Sequence, residues 1–409
     1  MKKFKVAIVG GGPAGITAAI ATSLKLNEPV VILEKTDSLG KKLLLTGGGR
    51  CNITNSTPIK TQLKIFNNKN FLKHSFYTFS NEKLLDLFES KGLEFKIENE
   101  KVFPISNDSN SVLDILKEYL DELKVEIKLN YNVSDIEHIN DEFVINNEII
   151  ASNIIIATGG ITYPQTGSSG DGYKLSKKLN HSITDIKKGL VPLLVDNTQL
   201  NRLSGIKLEN VEISYNNFKT NKDILISHFG LSGPGILDIS NKISADIDYN
   251  ILNNATPNFK DIFINIDFCP NLNQEEINQK ITEDSQLKGK TKIKNYLKVF
   301  IPKNFIDFFL NTIDIDKNKT MSNISKKEKI TITNNLKRLK IEINGFYENL
   351  SKITIGGIFL DEINPKTMES KKINNLYFAG EVLDVVGPTG GYNLQIAFST
   401  GYLAGNSIN

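Results

Sequence analysis

The stretch "GGGPAG" sets Gly10, Gly12 and Gly15 in a G-x-G-x-x-G pattern. The chemistry such spacing serves is phosphate binding. Gly10 permits a tight turn, Gly12 lets backbone approach a pyrophosphate, and Gly15 lets a helix pack closely on a strand. A helix opening at this point offers unpaired N–H donors and a partial positive charge. Glu34 stands nineteen residues beyond Gly15, where a carboxylate can accept both hydroxyls of an adenosine ribose. These residues read as a seat for the adenosine half of a dinucleotide.

Three further glycine-rich segments lie far apart: "TGGGRCN" (46–52), "ATGG" (157–160) and "GPTGGYNLQ" (387–395). In the first, Gly47, Gly48 and Gly49 let backbone come near a cofactor. Arg50 can pair with a phosphate or a substrate anion, and Asn52 can donate to a ring carbonyl or cap the next segment. In the last, glycines precede an apolar helical run starting near Tyr392. A helix N-terminus there stabilises the anionic reduced form of an isoalloxazine by up to about 2 kcal/mol. In this reading Gly390 and Gly391 also remove side chains that would hold the ring away. Several glycine-rich strand ends serving one long cofactor point to FAD rather than NAD alone. No second G-x-G-x-x-G with a following acid occurs. A dedicated NADPH domain is therefore not expected, and NAD(P)H is left as a transient co-substrate.

The candidate catalytic residues are His228 in "SHFGLSGPGIL", as an acid–base group or a donor to a substrate carbonyl, Tyr163 in "YPQTGSSGDGY" at a pocket edge, and Arg50. A structural hydrogen-bonding role stands beside the catalytic one for His228, and turn or capping roles for Tyr163 and Asp171. A reactive Cys51 would need a lowered thiol pKa; a plain buried cysteine is the favoured reading. The two cysteines, Cys51 and Cys269, form no C-x-x-C, and the four histidines form no H-x-x-x-H, so no metal site is expected.

The elements that must position these groups follow from periodicity. Residues 4–9 and 30–33 read as buried parallel strands flanking a helix over 14–26. Helices are expected over 71–79, 83–91 and 111–123, a hairpin over 93–103, and a buried strand at "NIIIATGG". From Val191 the character changes: "NVEISYNN" and "DIFINIDF" alternate with period two, and 274–282, 305–312 and 326–339 read as helices. Buried-strand style returns near Ile353, followed by "NNLYFAGE", whose end delivers Gly380 and Glu381.

Bulk properties bound the rest. The chain has 409 residues, long enough for two or three domains. Forty-nine Lys and Arg nearly cancel 46 Asp and Glu, leaving a net charge of +3. No general polyanion field results, a nucleic-acid partner is not expected, and the local run Lys288, Lys290, Lys292 and Lys294 reads as a solvated loop. The N-terminus runs directly into a strand, with no room for a signal peptide, and no apolar stretch approaches a membrane span. A cytoplasmic location is expected; the oligomeric state stays open.

The chain resembles a family of bacterial flavoproteins that includes aminoacetone oxidase and a bile-acid enone reductase. The resemblance is carried by "GGGPAG", "GKKLLLTGGGRCNITN", "ATGG", "YPQTGSSGDGY", "SHFGLSGPGIL", "TIGGI" and "GEVLDVVGPTGGYNLQIAFSTG". It implies an α/β fold: a glutathione-reductase-like Rossmann FAD domain interrupted by a barrel-like and a helical module. The expected boundaries are 1–190 and 345–409 for the FAD domain and 191–344 for the insert, β-rich over 191–268 and 339–344 and helical over 270–338. The FAD-binding set expected is Gly10, Gly12, Pro13, Ala14 and Gly15 at the first turn; Glu34, Lys35, Lys42 and Val133; Gly48, Gly49, Arg50 and Asn52. Ala157, Thr158, Gly159, Gly380 and Glu381 join it, with Gly391, Tyr392, Asn393 and Leu394. The expected activity is hydride transfer through the flavin on a small organic substrate. The alternatives are an oxidase of a small amine or carbonyl compound, a flavin-dependent RNA-acting protein, and a flavin redox sensor.

Overall fold

The computed structural model describes residues 1–409. The chain forms two compact units. The first comprises Met1–Lys187, Asn250–Asn253 and Ile353–Asn409; the second comprises Lys188–Tyr249 and Asn254–Lys352.

The first unit is built on a parallel sheet. Its strands run in the order Glu126–Lys128, Val30–Leu33, Lys2–Val9, Ile149–Ile156, Leu376–Phe378. The hairpin Ile136–Ile139 and Glu142–Ile145 adds antiparallel pairing along the start of Ile149–Ile156. Continuous apolar runs are what a sheet covered on both faces requires. Val6, Ala7, Ile8, Ile154, Ile155 and Ile156 are accordingly fully buried. The register is the feature that places the candidate groups. Val9 lies opposite both Leu33 and Ile156, and Ile156 opposite Phe378. Four strands therefore end level, and the residues that leave them emerge along one edge: Gly10, Glu34, Ala157 and Ala379.

Helix Pro13–Lys25 lies against helix Tyr392–Ser407 through small residues. A Cβ on Gly401 would come 2.2 Å from the Ala14 carbonyl oxygen, and one on Gly405 would come 2.2 Å from that of Ala18. The Thr22 hydroxyl donates to the Gly405 carbonyl at 3.3 Å, and Lys25 donates to the carbonyls of Asn406 and Ile408 at 3.0 and 2.8 Å. Contacts advance together along both helices, so they run parallel. The pairing of Ala14 with Gly401 sets the start of Tyr392–Ser407 about eight residues, roughly 12 Å, before the start of Pro13–Lys25. Two helix N-termini thus point the same way at two depths.

The second unit carries two antiparallel sheets. One orders Lys207–Leu208, Ile224–Ser227, Gly230–Ser232, Leu193–Leu194, Gly345–Phe346; the other orders Phe218–Asn221, Glu212–Tyr215, Phe263–Asp267, Leu339–Glu342. No strand ladder joins them. Helix Pro234–Asp246 interrupts the β-rich part, and Gln274–Leu287, Ile306–Thr312 and Lys326–Lys337 make the helical part. The unit runs to Lys352, and Gly345 and Phe346 within it pair with Leu194 and Leu193.

Replacing Gly401 with valine is expected to destabilise the protein by about 3 kcal/mol, because the added carbons meet backbone that cannot swing aside. Helix propensity alone would favour losing the glycine. Urea unfolding of the Gly401→Val protein at wild-type stability would show that the helices are not in close contact.

Candidate flavin-binding site

The first turn divides its glycines by task. Gly10 has φ +109°, and a Cβ there would sit 2.5 Å from the Ala157 carbonyl oxygen. One on Gly15 would sit 1.9 Å from the Gly10 oxygen. Both are needed by the protein's own packing. Gly12 caps the helix ahead of Pro13 and the buried Ala14, and a Cβ on it would meet nothing within 4 Å. The space above it is open.

Glu34 is buried. Its Oε2 accepts from the Gly11 amide and its Oε1 from the Thr36 amide, each at 2.8 Å. Each oxygen has a second lone pair, so a ribose would share this carboxylate with backbone. Lys35 turns to Ser169 and Asp171, the first residue of helix Asp171–Lys178. Val133 is buried beyond the strand Glu126–Lys128, near Tyr131, whose amide donates to the Glu34 carbonyl at 2.9 Å.

In "TGGGRC", Gly47, Gly48 and Gly49 all have positive φ, at +59°, +70° and +89°. A Cβ on Gly47 would meet the Asn52 amide at 2.8 Å, whereas Gly48 and Gly49 border open space. Cys51 follows at φ +58° and is fully buried. Burial pushes its thiol up to about 12, so it is no thiolate at neutral pH. Arg50 is already engaged. It donates to Glu98 at 2.9 Å and lies 4.0 Å from the Phe103 ring centroid, on the hairpin Phe95–Glu98 and Lys101–Pro104. Asn52 Oδ1, Thr158 Oγ1 and Ser168 Oγ are buried without a hydrogen-bond partner. Open space at Gly12, Gly48 and Gly49, with unspent polar capacity at Asn52, Thr158 and Ser168, fits a long polar cofactor such as FAD.

The third side is the C-terminal turn. Gly380 (φ +77°) sits where a Cβ would come 2.8 Å from the Ala14 Cβ. Glu381 pairs with Lys42 at 2.6 Å and accepts from the Thr354 amide at 2.7 Å; Lys42 also donates to the Thr162 hydroxyl at 2.7 Å. The Lys42 ammonium stands 6.0 Å from the ring centroid of Tyr163. Tyr163 itself has φ +59° ahead of Pro164, an unusual conformation for a bulky residue.

Gly390 and Gly391 are tightly packed within the protein. A Cβ on Gly391 (φ +94°) would lie 2.3 Å from the Thr54 carbonyl oxygen, and one on Gly390 3.0 Å from the Tyr392 ring. At Gly391 the protein's own backbone is by itself enough to require glycine. Asn393 also turns inward: it accepts from the Gly387 amide at 2.8 Å and donates to the carbonyls of Gly387 and Pro388 at 2.9 and 3.3 Å. It staples the turn. Tyr392 is buried, its ring 6.1 Å from Phe66, while Leu394 is half-buried. The first-turn amides of this helix have no partner within it, as for any helix start.

Sequence reasoning missed Gln395, which is fully buried. It accepts from the Thr54 hydroxyl at 2.5 Å and donates to the Phe79 carbonyl at 3.1 Å. The signal was a lone amide inside an otherwise apolar helical run. Thr354 and Ser168 had no local signal. His228 lies in the second unit, exposed in the two-residue turn between Ile224–Ser227 and Gly230–Ser232. Its ring is 5.0 Å from that of Phe229, which stacks on Tyr347 at 4.1 Å. Arg50, Tyr163 and the glycine turns all belong to the first unit.

Two outcomes are expected. Gly12→Val apoprotein should melt within about 2 °C of wild type, since a surface change with room is nearly neutral, yet carry little FAD by absorbance per chain. Full flavin loading would show that this face is not used. Cys51 should resist alkylation in the native protein at pH 8, where a thiol pushed to about 12 is almost wholly protonated; rapid labelling would contradict its burial.

Comparison with known proteins places this geometry. The model described as the HI0933-like protein Rossmann domain matches residues 4–407. The chain is 30% identical over 412 residues to the ribosomal RNA dihydrouridine synthase of Haemophilus influenzae, covering 98% of each. It is 28% identical over 413 residues to the 3-dehydro-bile acid delta(4,6)-reductase of Clostridium scindens, again covering 98% of each. Among solved structures, it is similar to a 3-ketosteroid-delta4-(5alpha)-dehydrogenase from Rhodococcus jostii RHA1 at 13% identity and TM-score 0.49, covering 100% of this chain and 97% of that one. No helix is long and apolar enough to cross a membrane. With its level strand ends, its open glycine turns and a family match over nearly its whole length, the chain belongs to the HI0933-like Rossmann family of FAD-dependent oxidoreductases.

Proposed function

We propose that this protein reduces a carbon–carbon double bond conjugated to a carbonyl, and that its substrate is a uridine of ribosomal RNA. The observation that carries the reading is one bond change shared by two full-length relatives with dissimilar substrates. Dihydrouridine is uridine with two hydrogens added across the ring double bond next to a carbonyl. A delta(4,6)-reductase of a 3-dehydro bile acid likewise saturates a double bond conjugated to a ketone. RNA moves ahead of the small-molecule reading because the relative named for it is 30% identical end to end.

FAD, when bound and reduced, supplies the hydride. The residues of this chain do the rest. The N-terminus of Pro13–Lys25 and Glu34 would hold the pyrophosphate and ribose. The N-terminus of Tyr392–Ser407, stapled by Asn393, would stabilise negative charge on the ring. The second hydrogen arrives as a proton, and Tyr163 is the candidate donor: its strained backbone beside the Lys42 ammonium is the kind of cost found where a side chain must be aimed. NAD(P)H is the proposed electron source; with one proton it supplies both hydrogens and leaves as NAD(P)+. The bile-acid relative keeps a small enone as a second reading. The oxidase and sensor readings draw on no observation of this kind.

The test is nucleoside mass spectrometry of ribosomal RNA from cells lacking the gene. Dihydrouridine should fall at one site and return with the wild-type gene. The Tyr163→Phe protein should keep its FAD but reduce substrate about 100-fold more slowly. Unchanged dihydrouridine on deletion, with anaerobic reoxidation of the reduced protein by a 3-oxo-4,6-diene steroid, would favour the small enone and sink the RNA reading.

A further inference from the structure

Between Ser56 and Ser80 the chain contains no Asp or Glu, yet it carries Lys60, Lys64, Lys69 and Lys73. All four lysines are exposed. None forms an ion pair, although lysines elsewhere in the first unit, such as Lys91 and Lys96, do. Lys288 of the basic loop in the second unit is neutralised by Asp284 at 2.9 Å.

The arrangement is ordered. In helix Lys69–Thr78, residues Lys69, Lys73 and Tyr77 follow one another at i, i+4 and i+8, so they form one stripe about 6 Å apart per step. Tyr77 is 52% exposed. The opposite face is buried through Phe71 and Ser75. Like charges at i, i+4 repel, and a lysine in a helix's first turn opposes the helix field. A stripe that is unfavourable in the free protein gains most from a polyanion laid along it. An exposed aromatic on the same line offers a face on which a base can stack.

The stripe is also fixed to the flavin-side turn. The Phe66 ring meets Phe76 at 5.5 Å and Tyr392, the first residue of the C-terminal helix, at 6.1 Å. Asn68 donates to the Asp384 carbonyl at 2.9 Å. A polynucleotide with one base at the flavin must carry its neighbouring phosphates over ground close by. We infer that the surface of this acid-free segment is the docking site for the RNA strand flanking the target uridine, with the four lysines on phosphates and Tyr77 under a base; the inference rests on the proposed action on RNA.

The experiment measures binding of wild-type holoprotein to protein-free ribosomal RNA from the deletion strain across a salt series, alongside rescue of dihydrouridine in cells. Changing all four lysines to glutamine should leave FAD content intact and weaken binding at least tenfold. The slope of log affinity on log salt should fall by about 3, near 0.7 for each single-strand phosphate no longer neutralised. Tyr77→Ala should weaken binding at unchanged slope. If wild type forms dihydrouridine but the glutamine variant keeps its slope and its rescue, the surface is wrong while the RNA reading stands. A slope carried instead by Lys290, Lys292 and Lys294 likewise rules this surface out. Wild type that neither binds RNA nor restores dihydrouridine defeats both. Lysine-dependent flotation with anionic phosphatidylglycerol vesicles, with RNA affinity indifferent to the lysines, would make a lipid surface the occupant and overturn the inference.

Discussion

The parallel register of four strands is the constraint on which the rest depends. Because Val9 is level with Leu33 and Ile156, and Ile156 with Phe378, segments from three distant parts of the chain are released at one edge. A shift of one residue in a single strand would turn its side chains to the opposite face of the sheet. It would also withdraw either the glycine turn, the acid or the C-terminal loop from the row. Continuous burial on both faces makes such a shift costly. The sheet thus acts as a jig that decides where the candidate groups at its strand ends can stand.

The glycines then sort into those that let protein meet protein and those that leave room. Gly10, Gly15, Gly391, Gly401 and Gly405 belong to the first kind, each facing backbone closer than any Cβ tolerates. Gly12, Gly48 and Gly49 belong to the second. The distinction separates stability from binding within a single motif: in G-x-G-x-x-G the outer glycines hold the turn together and the middle one borders open space.

Much of this was legible in the sequence. The strand–turn–helix at Gly10, the place of Glu34 at the end of a strand and the helix opening at Tyr392 follow from short apolar runs and where they stop, because buried parallel strands admit little else. What was not legible depends on contacts between distant segments. Nothing local tells that Asn393 faces its own turn, that Gly391 is pressed against Thr54, or that Arg50 is spent on Glu98 and Phe103. Strand partners in the second unit are of the same kind: alternation reports that a strand has two faces, not which strand it will pair with. Gln395 was hidden among apolar neighbours, and its partners Thr54 and Phe79 lie more than 300 residues away.

The crossing of helices Pro13–Lys25 and Tyr392–Ser407 has a consequence for biosynthesis. Thr22 and Gly405 touch although 383 residues separate them. During translation the first helix leaves the ribosome long before its partner exists, and its small-residue face has nothing to cover it. Such non-local closure is slow and exposes surface while it waits. The turn at Gly10 can form early, but the proposed ring end of the flavin site cannot be assembled until the second helix has docked. Flavin retention therefore reports on completion of the fold: a chain that stalls or is clipped before residue 392 would keep half a cradle and be recognisable, to a chaperone or a protease, by the uncovered groove along Ala14 and Ala18.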